Sequence, residues 1–246
     1  CTAMGHNAGF NAQGNYSTAL GYHAGHVSQG TNSTALGGSA GLADQGHYAV
    51  AVGYQAGCTS QSDDAVAVGR QAGFTSQGNA AVAMGYYAGC GSQGAYSVAI
   101  GINAGQTSQG AASVAVGQAA GYNTQGIDSV AVGRDAGKNA QGASCVAMGY
   151  LAGENAQTGS AIAIGKETGR YNQLGNGVAV GAAAGFTGQG GNSVALGVVA
   201  GYTNQPAGST YFSTYAMRDT GGSYYMRYNT GSGEVSYTSS DDRVKD

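Results

Sequence analysis

Residues 94–109 read GAYSVAIGINAGQTSQ, and this stretch decides the fold because it returns every sixteen residues along most of the chain. A glycine recurs at Gly5, Gly21, Gly37 and so on to Gly197, a second stands four residues later (Gly9 to Gly201), and a glutamine four after that (Gln13 to Gln205). Thirteen units pass without an insertion or deletion. Gly, Ser and Gln are abundant enough to suggest disorder, but a disordered chain has no fixed apolar period. The period therefore marks a stack of supersecondary units.

Within the unit, Ser97-Val98-Ala99-Ile100-Gly101 alternates as a strand does, since strand side chains point to opposite faces with a period of two. Val98 and Ile100 share one face; Ser97, Ala99 and Gly101 share the other. One face is β-branched and the other is small. Two aliphatic side chains cannot fold a unit alone, so the ladder Val66/Val68, Val82/Met84, Val98/Ile100, Val114/Val116 must stack along an axis. The expectation is an all-β parallel β-roll or solenoid of thirteen sixteen-residue turns, each with two short strands and two tight turns. At the usual strand spacing the stack is about 60 Å long.

The recurrent slots have physical readings. Gly at both ends of Gly-x-x-Ala-Gly suits a tight turn that needs positive φ or close backbone approach, and the Ala between them, replaced only at Thr168, suits a packed site with room for one methyl. The thirteen stacked glutamines read as a structural amide ladder bonded along the axis.

Composition narrows the function. The chain has 246 residues with 47 Gly, one Pro, no Trp, 9% charged residues and a net charge of −3. Its basic residues are scattered singly, which argues against a nucleic-acid partner, and no apolar run is long enough for a membrane-spanning helix. Cys1, Cys58, Cys90 and Cys145 lack metal-ligand spacing. Cys58 and Cys90 share a slot two turns apart, roughly 10 Å, too far for an unstrained disulfide. His6, His23, His26 and His47 crowd the first turns without an accompanying carboxylate pattern and read as surface residues. No metal or cofactor is expected. A solenoid hydrolase needs paired carboxylates on adjacent turns, whereas Asp63, Asp64, Asp128, Asp135, Glu154 and Glu167 are scattered across slots. The recurring Asp of the calcium-binding nonapeptide roll is missing, and Thr is too sporadic for an ice-binding face.

The slot after the first Gly carries Tyr22, Tyr54, Tyr86 and Tyr150, and elsewhere Arg70, Arg134 and Lys166. Tyr and Arg are favoured interface residues, so these are candidate receptor contacts; the other reading is that they cover exposed strand edges and turns.

The SVAIG segment at 97–101, with SVAVG at 113–117 and 129–133, resembles the YadA-like head repeat of trimeric autotransporter adhesins, and Tyr-Gln-Ala-Gly at 54–57 resembles repeats of phage and large-virus fibre proteins. The resemblance covers about residues 1–206. It implies a left-handed β-roll, three copies of which pack side by side as a homotrimer.

The frame stops at Gln205-Pro206, and residues 207–239 are rich in Tyr. Residues 223–228 and 234–238 read as strands joined by a turn at 229–233, a small β tip in which Tyr224 and Tyr225 are further candidate receptor contacts. Residues 240–246 resemble the opening of the endosialidase-type intramolecular chaperone of phage fibres, with its Ser-Asp-x-Arg-x-Lys entry. That resemblance implies self-cleavage at Ser240-Asp241, with Ser240 as nucleophile and Lys245 as base, a role that needs a lysine of lowered pKa. The chain begins in mid-repeat, so further turns are expected upstream. Two readings of function follow: a viral or phage fibre shaft and tip on the virion surface that attaches to a host glycan or protein receptor, and a cell-surface trimeric adhesin or extracellular filament.

Overall fold

The computed structural model describes residues 1–213 and, by backbone alone, the strands Tyr225–Tyr228 and Val235–Thr238. The chain divides into two compact units, residues 1–213 and 214–246. The first is a parallel β-solenoid. Its described residues contain no helix.

Each sixteen-residue coil contributes one strand to a first sheet, and each of the first eleven coils contributes one to a second, which continues past Tyr171 only as the isolated bridges Tyr171–Thr187 and Thr187–Thr203. The first sheet has fourteen rungs, from Thr2–Met4 to Thr210–Phe212, and the second has eleven, from Asn11–Gln13 to Tyr171–Gln173. The register is uniform at sixteen residues: Val98 lies beside Val114, Ala99 beside Ala115 and Ile100 beside Val116. The first sheet continues past Pro206 to one last rung, where Ala195 pairs with Tyr211. In the second unit, Tyr225–Tyr228 pairs antiparallel with Val235–Thr238, inside the segments in which strands were expected.

The side chains lie differently from what the apolar ladder suggests. It is the small face that points inward: Ala99 is 0% exposed, while Ile100 is 39% exposed and its neighbour Val98 half-buried. Four side chains fill the interior of a typical coil, here Ala99, Ala104, Gln109 and Ser113.

The glutamine explains the inversion. Gln109, on the second sheet, reaches across the interior, and its Nε2 donates to the carbonyl of Val98 in the first sheet at 2.8 Å. All thirteen glutamines repeat this bond to the residue eleven positions back, from Gln13 with Thr2 to Gln205 with Val194. An amide lying across a two-sheet core leaves room opposite it for one methyl. The aliphatic side chains are therefore left on the outside.

Both recurrent glycines behave as their spacing suggests. Gly101 has φ of 127°, and a Cβ there would lie 2.7 Å from the carbonyl oxygen of Gly117 in the next coil. Gly105 has φ of 53°, and its missing Cβ would lie 2.7 Å from Gln109 Oε1. The second glycine is thus the floor on which the glutamine amide rests. The inner serines are held by the preceding turn, as where Ser113 Oγ donates to the Gly110 carbonyl at 2.6 Å.

This orientation is testable with two substitutions in one rung. Ala99→Val adds volume against the Gln109 amide and is expected to cost about 1–3 kcal/mol. Val98→Thr changes an outward position that is Thr in other coils, and in the single chain it is expected to stay within about 0.5 kcal/mol. Chemical unfolding at a fixed protein concentration checks both, and equal effects would contradict the assigned faces.

Candidate functional site

Stacking at a sixteen-residue period turns every slot into a column along the first unit, so functional side chains are arranged by slot. The column after the first glycine lies at a corner of the coil, just beyond the end of each first-sheet rung. It contains Tyr22, Tyr54, Tyr86 and Tyr150 as sequence reasoning expected, and the corner leaves their rings at the surface, with Tyr22, Tyr54 and Tyr86 exposed and Tyr150 half-buried.

Neighbours in this column touch. The Arg70 guanidinium lies 5.4 Å from the Tyr86 ring centroid, and that of Arg134 lies 4.3 Å from Tyr150. Such cation–π contacts contribute about 0.5–1 kcal/mol at exposed sites. His6 takes the same place relative to Tyr22, with ring centroids 5.5 Å apart. Tyr54 is different because Gly38 precedes it in the column. The four tyrosines therefore do not form one site; three are paired with a cation or ring from the coil before, and successive ones stand two or four coils apart.

A second column, five residues after the first glycine, was not singled out in the sequence. It holds an ion pair between Arg170 Nε and Glu154 Oε2 at 2.6 Å, and stacked rings in Phe10 with His26 at 5.3 Å and Phe186 with Tyr202 at 4.8 Å. Its signal was available: Glu154 and Arg170 occupy the same slot in adjacent coils. Glu154 raises the pKa of Arg170 against the lowering effect of burial. Asp135 forms a 2.9 Å ion pair with Lys138, and Asp63 Oδ1 accepts from the His47 backbone N–H at 2.7 Å, so several of the scattered carboxylates have local partners.

The N-terminal histidines gather more closely than their spacing suggests. His23 lies 4.6 Å from His26 and 5.9 Å from His6, ring to ring, and its Nε2 is 3.1 Å from Asn7 Nδ2. Among the described residues, no group of three or more His, Cys, Asp or Glu side chains is placed to hold a metal ion. The four cysteines are free thiols. Burial pushes the Cys58, Cys90 and Cys145 thiols above the ordinary value.

Tyr225 opens the strand Tyr225–Tyr228, of which only the backbone is described. Tyr224, Ser240 and Lys245 lie outside the described residues. No known family, no curated protein and no solved structure matches the chain.

The histidine cluster carries a pH prediction. Desolvation, then the charges of His26 and His6, hold the His23 pKa below its ordinary value of 6.5. The unfolded first coils therefore bind more protons than the folded ones between the two values, and their stability falls as pH drops through that window. Hydrogen exchange of the His23 amide, which donates to the His6 carbonyl at 2.9 Å, is expected to lose protection relative to the unfolded-chain rate between pH 7.5 and 5. A His23→Gln variant is expected to lose less.

Proposed function

We propose that the chain forms the shaft and tip of a viral or phage attachment fibre or spike, working as a mechanical spacer and contact surface and not as a metabolic enzyme. The observation that carries this reading is the unbroken first sheet. Fourteen rungs in one register give a continuous parallel ladder whose outer face bears an aliphatic row that its own coil leaves half-exposed. A solenoid extends by adding coils without changing its cross-section, which suits reach and stiffness. An outer apolar row along the whole ladder suits side-by-side association of identical chains. The homotrimer implied by the adhesin-head and fibre resemblance supplies that association.

In this reading the partners are further copies of the chain and a glycan or protein receptor on a host surface, with receptor contact at the Tyr-rich segment that includes Tyr224 and Tyr225. The protein is displayed at the virion surface and uses no cofactor. In a precursor that continues beyond Asp246, Ser240 and Lys245 release the folded fibre by a single hydrolysis of the Ser240–Asp241 peptide bond, water supplying the new carboxylate oxygen and the amine proton. The second reading, a cell-surface trimeric adhesin, draws on the resemblance of SVAIG at 97–101 to adhesin-head strands.

Solution mass and electron microscopy of the purified chain test the proposal together. Rods about 60 Å long with the mass of three chains are the expected result. Monomers at micromolar concentration contradict it. In the full-length gene, a chaperone segment downstream favours the fibre, whereas a membrane β-barrel favours the adhesin.

A further inference from the structure

The coils of the solenoid do not all share one backbone. In the residue just before each buried glutamine, φ is positive from Ala12 (58°) to Ser76 (50°), and again from Ala140 (56°) to Asn204 (47°). Ser92, Ser108 and Thr124, in the three coils between, do not have positive φ. The bonding changes with it. In the common coils the residue two before the glutamine pairs with its counterpart, as Thr59 does with Thr75. The Thr59 N–H there donates to the Phe74 carbonyl at 3.0 Å, so the parallel pair is completed by the Ser76 N–H pointing back toward Thr59. In the middle coils the pairing moves to the residue just before the glutamine, Ser92 with Ser108 and Ser108 with Thr124. The Ser92 N–H donates forward to the Thr107 carbonyl at 3.0 Å, and the Ser108 N–H to the Asn123 carbonyl at 2.9 Å. The peptide entering these residues is turned over relative to the rest of the second sheet.

Both ends of the turned-over segment are marked. Only the glutamines pair there, Gln77 with Gln93 and Gln125 with Gln141. At the first end, Thr75 Oγ1 donates to the Cys90 and Gly91 carbonyls at 3.2 and 3.3 Å, whereas Thr59 in the same slot reaches only the Phe74 carbonyl. At the second, Asn123 Nδ2 donates to Asn139 Oδ1. The interior registers the same segment. Between Gln45 and Gln189 the links from one glutamine to the next fail only at the steps from Gln77 to Gln141.

Local residue type does not separate the two states. Ser28, Ser60 and Ser76 have positive φ, while Ser92 and Ser108 do not. The slot before them holds Thr at 59, 75 and 107 and Asn at 123, 139 and 155, on both sides of the divide. What distinguishes the segment is Thr124, the one β-branched residue in its slot. A branched Cβ disfavours the left-handed region.

We propose that the second sheet is bistable coil by coil, and that Thr124 sets the turned-over state and passes it through Ser108 to Ser92, opening the axial amide ladder inside. The Ser108 N–H can donate forward only to an Asn123 carbonyl that faces back, and that carbonyl faces back only when the peptide entering Thr124 is turned over. Each coil therefore favours the state of its neighbour, and the state spreads until a side chain closes the mismatch, as Thr75 Oγ1 does. Such nearest-neighbour coupling suits a solenoid, whose coils touch only the coils beside them. The result is a conformational device: a change at one exposed position reaches two coils along the axis and the buried amides within. It does not rest on the reading of the chain as a fibre.

NMR of the full chain tests the coupling through the Cα and Cβ shifts of the residue before each glutamine. In the wild type, Ser92 and Ser108 are expected in the strand range, and Ser28, Ser60 and Ser76 in the left-handed range. Thr124→Asn places at this exposed site the residue found in the slot at Asn172 and Asn204. The unmutated Ser92 and Ser108 are then expected to move to the left-handed range, and the side-chain amides of Gln93 and Gln109 to exchange roughly fivefold more slowly, as one added hydrogen bond supplies. Ala140→Thr is expected to lengthen the segment by one coil, moving residue 140 to the strand range and breaking the link from Gln141 to Gln157, so that the Gln141 amide exchanges faster. Wild-type serines that all fall in one range overturn the two states. A Thr124→Asn chain in which only residue 124 moves overturns the coupling. An Ala140→Thr chain in which residue 140 stays left-handed overturns the role of side-chain branching.

Discussion

The bond on which the first unit depends is the one from each glutamine amide across the interior to a carbonyl of the opposite sheet, as from Gln109 to Val98. Gln109 also approaches the Ser113 carbonyl at 3.4 Å. Two net hydrogen bonds contribute about 1–3 kcal/mol, and immobilising a glutamine side chain costs about 1.5–2 kcal/mol. The terms nearly cancel, so the glutamine specifies the structure more than it stabilises it. It fixes the separation of the sheets, limits the facing strand residue to Ala and requires Gly105 beneath its oxygen. Stability comes from the continuous backbone ladders and the buried alanine columns, which no single coil has by itself.

The amide ladder is complete only in part. Links from one glutamine to the next run from Gln45 through Gln61 to Gln77 and from Gln141 through Gln157 and Gln173 to Gln189. Gln93, Gln109 and Gln125 lie between these runs in second-sheet strands of two residues instead of three, and their Oε1 atoms have no protein partner among the described residues. The cross-core bond is present in all of these coils, so it and not the axial link is the common element.

The period, the strand positions and both glycine roles were legible in the sequence because each follows from local backbone needs repeated thirteen times. The inward face was not, because alternation separates two faces without saying which is enclosed, and aliphatic residues ordinarily occupy the enclosed one. The distinguishing signal lies in slot variability. Val98's slot accepts Thr at Thr2, Thr18, Thr34 and Thr210, as a surface position does, whereas Ala99's slot is Ala in every coil until Tyr211. The surface columns were legible as slots, but their pairings depend on the rise between coils, which brings Arg134 over Tyr150 and Arg170 onto Glu154.

An interior closed by amides and methyls leaves the aliphatic row free to serve assembly, which links the core to the proposed shaft. The most direct test of that core is hydrogen exchange of the glutamine side-chain amides, resolved by NMR, with the exposed Gln118 as an internal reference. The account predicts that the Nε2 protons of Gln61, Gln77, Gln157 and Gln173 exchange as slowly as core backbone amides, while those of Gln118 exchange at the rate of a free side chain. Fast exchange at all five would contradict the cross-core bond and the arrangement of faces that follows from it.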